Sequence, residues 1–222
     1  MGLVFDAEAH ASHHLGVRIN SVTRILVHSG IVDTTFMAGG GEYFERGTAV
    51  HDFTARYDLG EPIDLRKLKN RWRGHYEAWL RFRRETGFVP SLVEHYVDKL
   101  YKGCRHKKSN CYCYVGILDR LGTFPTARNT QVLLDIKNCK TGRVGDWVRY
   151  QLVGYGHALE PGTRFPRVGV ALHENGTYAM SGSESDWPIS TWDKDLNRFL
   201  RATRDTNVSR LLVKEMEKYG QT

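Results

Sequence analysis

The sequence predicts an α/β domain with a mixed central β-sheet flanked by α-helices, and three observations carry that expectation. Strand-like runs around Glu94, Asp119 and Asp135 stand between stretches of helical periodicity. A hairpin-like pair, residues 167–173 and 177–180 over Glu174, Asn175 and Gly176, follows a further helical stretch. The 222 residues, 41% of them hydrophobic, suffice to bury one substantial core, so one domain is the simplest count.

In chain order, residues 1–20 are poorly patterned, carry His10, His13 and His14, and are expected to form a flexible, non-catalytic segment; the domain itself spans 21–222. Ser21 is a credible N-cap and Gly30 a stop for a short helix. Gly39, Gly40 and Gly41 mark a loop into a helix that holds His51 and ends at Gly60. A basic helical region follows over residues 65–87, where Arg66, Lys67, Lys69, Arg71, Arg73, Arg81, Arg83 and Arg84 interleave with Trp72, Tyr76, Trp79 and Phe82. Such a mixture can straddle phosphates and stack bases, or it can be an amphipathic helix with its aromatics in the core.

Gly87 and Pro90 punctuate the turn into the Glu94 strand, where alternation sets Leu92, Glu94 and Tyr96 on one face. Lys102, Arg105, His106, Lys107 and Lys108 then cap a hairpin before the strand that ends at Asp119, in which Gly116 permits close backbone approach. In Val132, Leu133, Leu134, Asp135, Ile136 and Lys137 the period of two places Leu133, Asp135 and Lys137 together. A helix over residues 147–159 sets Trp147, Gln151 and Tyr155 on one stripe. The terminal helix fills 192–219, with a break expected near Asn207.

If the Asp119 and Asp135 strands pair, two carboxylates and an ammonium converge. Mg²⁺ takes one or two carboxylates and keeps waters and phosphate oxygens, so Asp119, Asp135 and the Ile136 carbonyl fit such an ion. Lys137 would then orient an attacking water or offset developing charge. Taken alone, the same spacing also describes a surface Asp–Lys pair at a strand end. His51 would admit Mn²⁺ as well, since imidazole suits it.

The order of these motifs resembles RecB-like nucleases of the PD-(D/E)XK superfamily, in the phage-type exonuclease branch. Arg46, Gly47, Thr48, Ala49, Val50 and His51 look like that family's RGxxxH helix start. Glu94, then Gly116 to Asp119 (GxxD), Asp135 to Lys137 (DxK), and Gln151 to Tyr155 (QxxxY) follow in the family order, and residues 21–26 look like the opening of phage members. The likeness covers about residues 21–180. It implies a restriction-endonuclease-like core and a deoxyribonuclease that needs Mg²⁺ or Mn²⁺, as one or two ions.

By the same resemblance, His51, Asp119, Asp135 and Ile136 hold the principal ion, Glu94 supports a second, and Lys137 positions the nucleophile. Gln151 and Tyr155 brace the site or touch DNA, as does Arg46. Apart from the resemblance, the basic hairpin tip that carries Lys107 and Lys108 could grip a phosphate backbone or be simply solvated. Exonuclease action in recombination, repair or phage DNA processing is implied, with recombination or replication proteins as partners. A structure-specific endonuclease with the same residues and a non-catalytic DNA-binding module are the competing readings.

A formal charge of +7 and a pI near 9.3 fit a polyanionic partner such as DNA. Cys104, Cys111, Cys113 and Cys139 match no standard zinc spacing. They depart from the iron–sulfur pattern of some relatives, which place a tight cysteine cluster after the last motif, so no such cluster is expected. No secretory signal or transmembrane run is found, and a cytoplasmic, reducing setting in a phage or bacterial context is expected, without a membrane partner.

Overall fold

The computed structural model describes residues 4–6, 11–14, 17–33, 41–101, 111–125, 130–140, 142–182 and 184–218. Its main sheet has five strands in the order β4 (Val89–Lys99), β5 (Tyr114–Thr123), β6 (Gln131–Cys139), β7 (Arg167–His173) and β8 (Tyr178–Ser181). The β4–β5, β5–β6 and β7–β8 pairs are antiparallel, whereas β6 and β7 are parallel. A parallel pair needs a crossover, and α4 (Val148–Leu159) supplies it. The protein is thus mixed α/β, a five-stranded mixed sheet flanked by helices.

β6 is central, and its apolar residues serve both faces in turn. Val132, Leu134 and Ile136 meet Val50 of α2 (Gly41–Leu59) and Trp79 and Phe82 of α3 (Arg73–Thr86). Leu133 belongs to the opposite cluster, built on α1 (Val22–His28), α4 and α5 (Trp192–Lys218). Ser21 caps α1 by accepting from the Arg24 amide, as its hydroxyl suggested. Gly60, with φ of 68°, follows α2 in a conformation that glycine adopts without strain.

Within residues 1–20, β1 (Val4–Asp6), β2 (Ala11–His14) and β3 (Val17–Ile19) form a separate antiparallel sheet. His13 and His14 lie in β2, and His10 lies outside the described residues. Cys104, Lys107, Lys108 and the rest of their basic cluster also lie outside them. Cys111 and Cys113 are buried and Cys139 is half-buried.

One expectation is corrected. α5 runs unbroken through Asn207, whose buried side chain accepts from Asn20 Nδ2 and donates to the Cys111 carbonyl, both at 2.8 Å. An asparagine with tertiary partners does not compete for its own helix backbone. In the basic region, Trp72, Tyr76, Trp79 and Phe82 are all buried, which decides for the amphipathic helix with its aromatics in the core over a base-stacking surface. Of that region's cations, Arg66, Lys69, Arg71, Arg81 and Arg83 each face a carboxylate, whereas Lys67, Arg73 and Arg84 form no ion pair among the described residues.

Candidate metal centre

The β5–β6 ladder runs from Thr123↔Gln131 to Arg120↔Leu134 and ends there. One row further, Asp119 would face Asp135. At that row the strands part, β6 continuing along β7 as far as Cys139↔His173. The released edge of β5 is met instead by the segment before α1. The Val115 amide donates to the Asn20 carbonyl at 3.1 Å, and Ser21 bridges Val115 in parallel. A cleft of about 320 Å³ occupies the fork, lined by His51, Asp119, Lys137, Gln151 and Tyr155 together with Arg18 and Arg24.

The other edge of β5 is irregular at the same row. Val93↔Arg120 and His95↔Leu118 set Glu94 opposite Asp119, yet those two do not pair. Glu94 has φ of 45°, the one positive value at a non-glycine residue among the described residues. The twist reverses the alternation: Leu92 and Val97, five apart, pack on the same apolar cluster, as do Leu118 and Leu121, three apart. Leu92, Glu94 and Tyr96 therefore do not share a face, contrary to the simple period of two. Left-handed backbone at such a residue costs about 1–3 kcal/mol and persists where its surroundings over-determine it.

Arg120 is what over-determines it. Wholly buried, it donates to Glu94 Oε1 at 2.8 Å, to the Asp119 carbonyl at 2.6 Å, to Asp58 Oδ2 at 2.6 Å and to Thr54 Oγ1 at 3.1 Å. Asp58 is held in turn by Arg83 and by the Trp79 indole.

His51 Nδ1 lies 3.3 Å from Glu94 Oε1 and 3.7 Å from Asp119 Oδ1. One donor atom from each of His51, Glu94 and Asp119 lies within 4.8 Å of the other two, so the three can hold a metal ion. No other group of this kind occurs among the described residues. Asp119 Oδ2 accepts from the Ile136 amide at 2.7 Å, so backbone from the neighbouring strand fixes the carboxylate's orientation.

This differs from the expected ligand set. Glu94 stands in the first group, not apart from it. Asp135 stands outside that group: fully buried, it has Lys137 Nζ 2.6 Å from Oδ2, while its Oδ1 accepts no hydrogen bond. Ile136 contributes its amide to Asp119, in addition to whatever its carbonyl meets. The Asp135 carboxylate is engaged by Lys137 instead.

The electrostatics describe a place short of positive charge. Burial pushes the Asp135 carboxyl up to about 7 against the pull of Lys137, and the Asp119 carboxylate adds to the rise. Burial opposes the His51 imidazolium, but Asp119 and Glu94 outweigh it and raise its pKa. A proton on His51 thus does in part what a cation would do there. Tyr155 is raised by burial and then by Asp119 and Asp135, so its hydroxyl stays neutral.

Gln151 Nε2 donates to that hydroxyl at 2.7 Å, while the buried Gln151 Oε1 accepts no hydrogen bond. The Tyr155 ring sits where a side chain at position 116 would go: a Cβ on Gly116 would come within 2.4 Å of it. Trp147 flanks the site, with Lys137 Nζ 5.3 Å from its ring centre. Arg46 is not in the cleft lining; it pairs with Glu174 at 3.3 Å and ties α2 to the β7–β8 turn. Lys107 and Lys108 lie outside the described residues.

Arg120, Asp58, Arg18 and Arg24 were not anticipated. Arg120 had one visible signal, a charge inside the apolar run Ile117, Leu118, Leu121. No family model matches the chain, and no curated protein matches it. No helix among the described residues is long and apolar enough to cross a membrane.

Proposed function

We propose that the protein is a metal-dependent DNA nuclease of the RecB-like, PD-(D/E)XK kind, with a restriction-endonuclease-like core and exonuclease action. The observation that carries this reading is the fork itself. Where β5 and β6 part, an imidazole and two carboxylates gather within 4.8 Å, and a lysine from the next strand shares their cleft.

His51, Glu94 and Asp119 would hold the ion, Mg²⁺ or Mn²⁺, and mixed oxygen and imidazole donors suit the latter. Asp135, with an orphaned oxygen, borders the group. When bound, such an ion lowers the pKa of water and offsets charge on phosphoryl oxygens. The remaining work falls to the chain. Lys137 donates hydrogen bonds to the attacking water and to the phosphate. Arg18 and Arg24 line the same cleft and supply charge for a phosphodiester backbone. Tyr155 and Gln151 form its wall and exclude bulk water. The water oxygen forms a new bond to phosphorus as one ester P–O bond breaks; the water gives up a proton to solvent, and the departing alkoxide takes one from solvent and leaves as the alcohol.

The test is incubation of the protein with end-labelled linear single-stranded and duplex DNA and with closed circular DNA, with and without Mg²⁺ or Mn²⁺. Metal-dependent loss of linear substrate, sparing circles, is the expected result. Asp119→Ala and Lys137→Ala should each lower the rate by about 10²–10³-fold while DNA binding is kept. Cleavage of circles would assign an endonuclease, and DNA binding without cleavage under any metal would overturn catalysis.

A further inference from the structure

α4 presents Gln151 and Tyr155 to the metal cleft, and Arg149 and Tyr150 to a second cavity of about 580 Å³ shared with α5. The charged lining of that cavity is Arg149, Lys194, Arg198 and Arg201 against one carboxylate, Asp195. Asp195 is already engaged elsewhere: its Oδ2 lies 2.8 Å from the wholly buried Arg167 and accepts from Thr191, and Arg149 stands 3.6 Å from Oδ1. Arg149 Nε is buried and makes no hydrogen bond. Lys194 and Arg201 are exposed and form no ion pair among the described residues. Arg149 and Arg198 stand 4.8 and 4.9 Å from the Tyr150 ring centre. That ring is buried, so it orients guanidinium groups and offers no face to a base.

Four cations converge here with no anion to themselves, an arrangement that favours an anionic ligand. Lys194, Arg198 and Arg201 repeat at helical spacing and form one stripe about 10 Å long. Successive phosphates of a strand advance about 3.4 Å along a duplex, so the stripe matches about three of them, more than one phosphate ion fills. We infer that the α4–α5 cavity is a second nucleic-acid site, which grips the phosphodiester backbone away from the bond being cut. The inference rests on the reading of nucleic acid as substrate, and it adds a track on the far flank of the helix that walls the metal cleft.

The experiment is fluorescence anisotropy with labelled single-stranded and duplex oligonucleotides, in EDTA and over a range of KCl. The full chain is compared with the Lys194→Glu/Arg201→Glu variant. The expected result is a Kd raised about tenfold or more near 100 mM salt, with the log–log salt slope shallower by about 1.5–2 units for two lost phosphate contacts. Circular dichroism melts check folding, and Lys194→Gln/Arg201→Gln, expected to give a smaller change in the same direction, decides if the charge reversal unfolds the chain. Equal affinity and an unchanged slope would overturn the inference. So would displacement of DNA by about 1 mM inorganic phosphate, a small-anion site being too weak and too local to give the salt slope of a backbone track. Because EDTA removes cleavage from the readout, a charge-dependent affinity with no metal-dependent cutting would sink the nuclease reading alone. Cutting with unaltered variant affinity would sink this one alone.

Discussion

Arg120 and Arg167 are both wholly buried, on opposite faces of the sheet, and each is paired with a buried aspartate. Their surroundings differ in charge balance. On the α2–α3 face, Arg120 and Arg83 meet Asp58 and Glu94, two against two. On the α4–α5 face, Arg167 and Arg149 share Asp195, two against one. The balanced centre reaches the His51, Glu94 and Asp119 group through Glu94 and holds a carboxylate still. The unbalanced one opens into the cationic cavity. One buried arginine therefore acts on geometry and the other on net field.

Replacing both arginines tests that distinction most strongly. Arg120→Met and Arg167→Met should each lower stability by about 3–5 kcal/mol, since each strands a buried aspartate; urea unfolding measures this. Arg120→Met alone should also weaken Mn²⁺ binding by about 10–100-fold, because it frees Glu94. Calorimetric titration showing the same loss in Arg167→Met would erase the contrast.

The fold was legible where the signal is local. The strands at Glu94, Asp119 and Asp135, the α4 crossover and the β7–β8 hairpin all follow from periodicity and turn residues close in sequence. The helix pair Gln151–Tyr155 and the glycine that admits Tyr155 were legible for the same reason. Arg120 and Asp58 were not, because 62 residues separate them and nothing local says that a buried arginine will find an aspartate. The left-handed turn at Glu94 was equally hidden, since no glycine marks it. Asp135 was read as a ligand from the DxK spacing, and in the structure its carboxylate stands against Lys137 with Asp119 and His51 acting on it electrostatically.

Gly116→Ala should cost about 1–3 kcal/mol, because the added methyl meets the Tyr155 ring inside a packed wall. Thermal melts check it, and a neutral outcome would mean that this wall yields while the Arg120 side does not.

Asp135 sharpens the contrast through pH. Its pKa in the folded protein, about 7, lies above the unfolded value near 3.9. The folded form holds that proton more tightly, so this contribution to stability is full below about pH 4 and is lost as pH rises through about 7. In EDTA, the midpoint of Asp135→Asn should fall less than that of the wild type between about pH 5 and 8. His51, also raised, declines in the same sense and accounts for the slope that remains. Parallel declines would place the burden on His51.

The smallest effect belongs to the exposed pair Arg81–Glu85, one helical turn apart on α3. Arg81→Ala should leave the thermal midpoint essentially unchanged, which melts can bound, and should leave DNA affinity within about twofold. A larger drop in affinity would restore the α3 helix as a binding face.

Glu94 occupies a backbone conformation that glycine, asparagine or aspartate tolerates better. Selection at this single position should accordingly give opposite answers. A library scored for thermal endurance should drift toward those smaller residues, whereas one scored for cutting should return glutamate, whose longer arm reaches both His51 and Arg120.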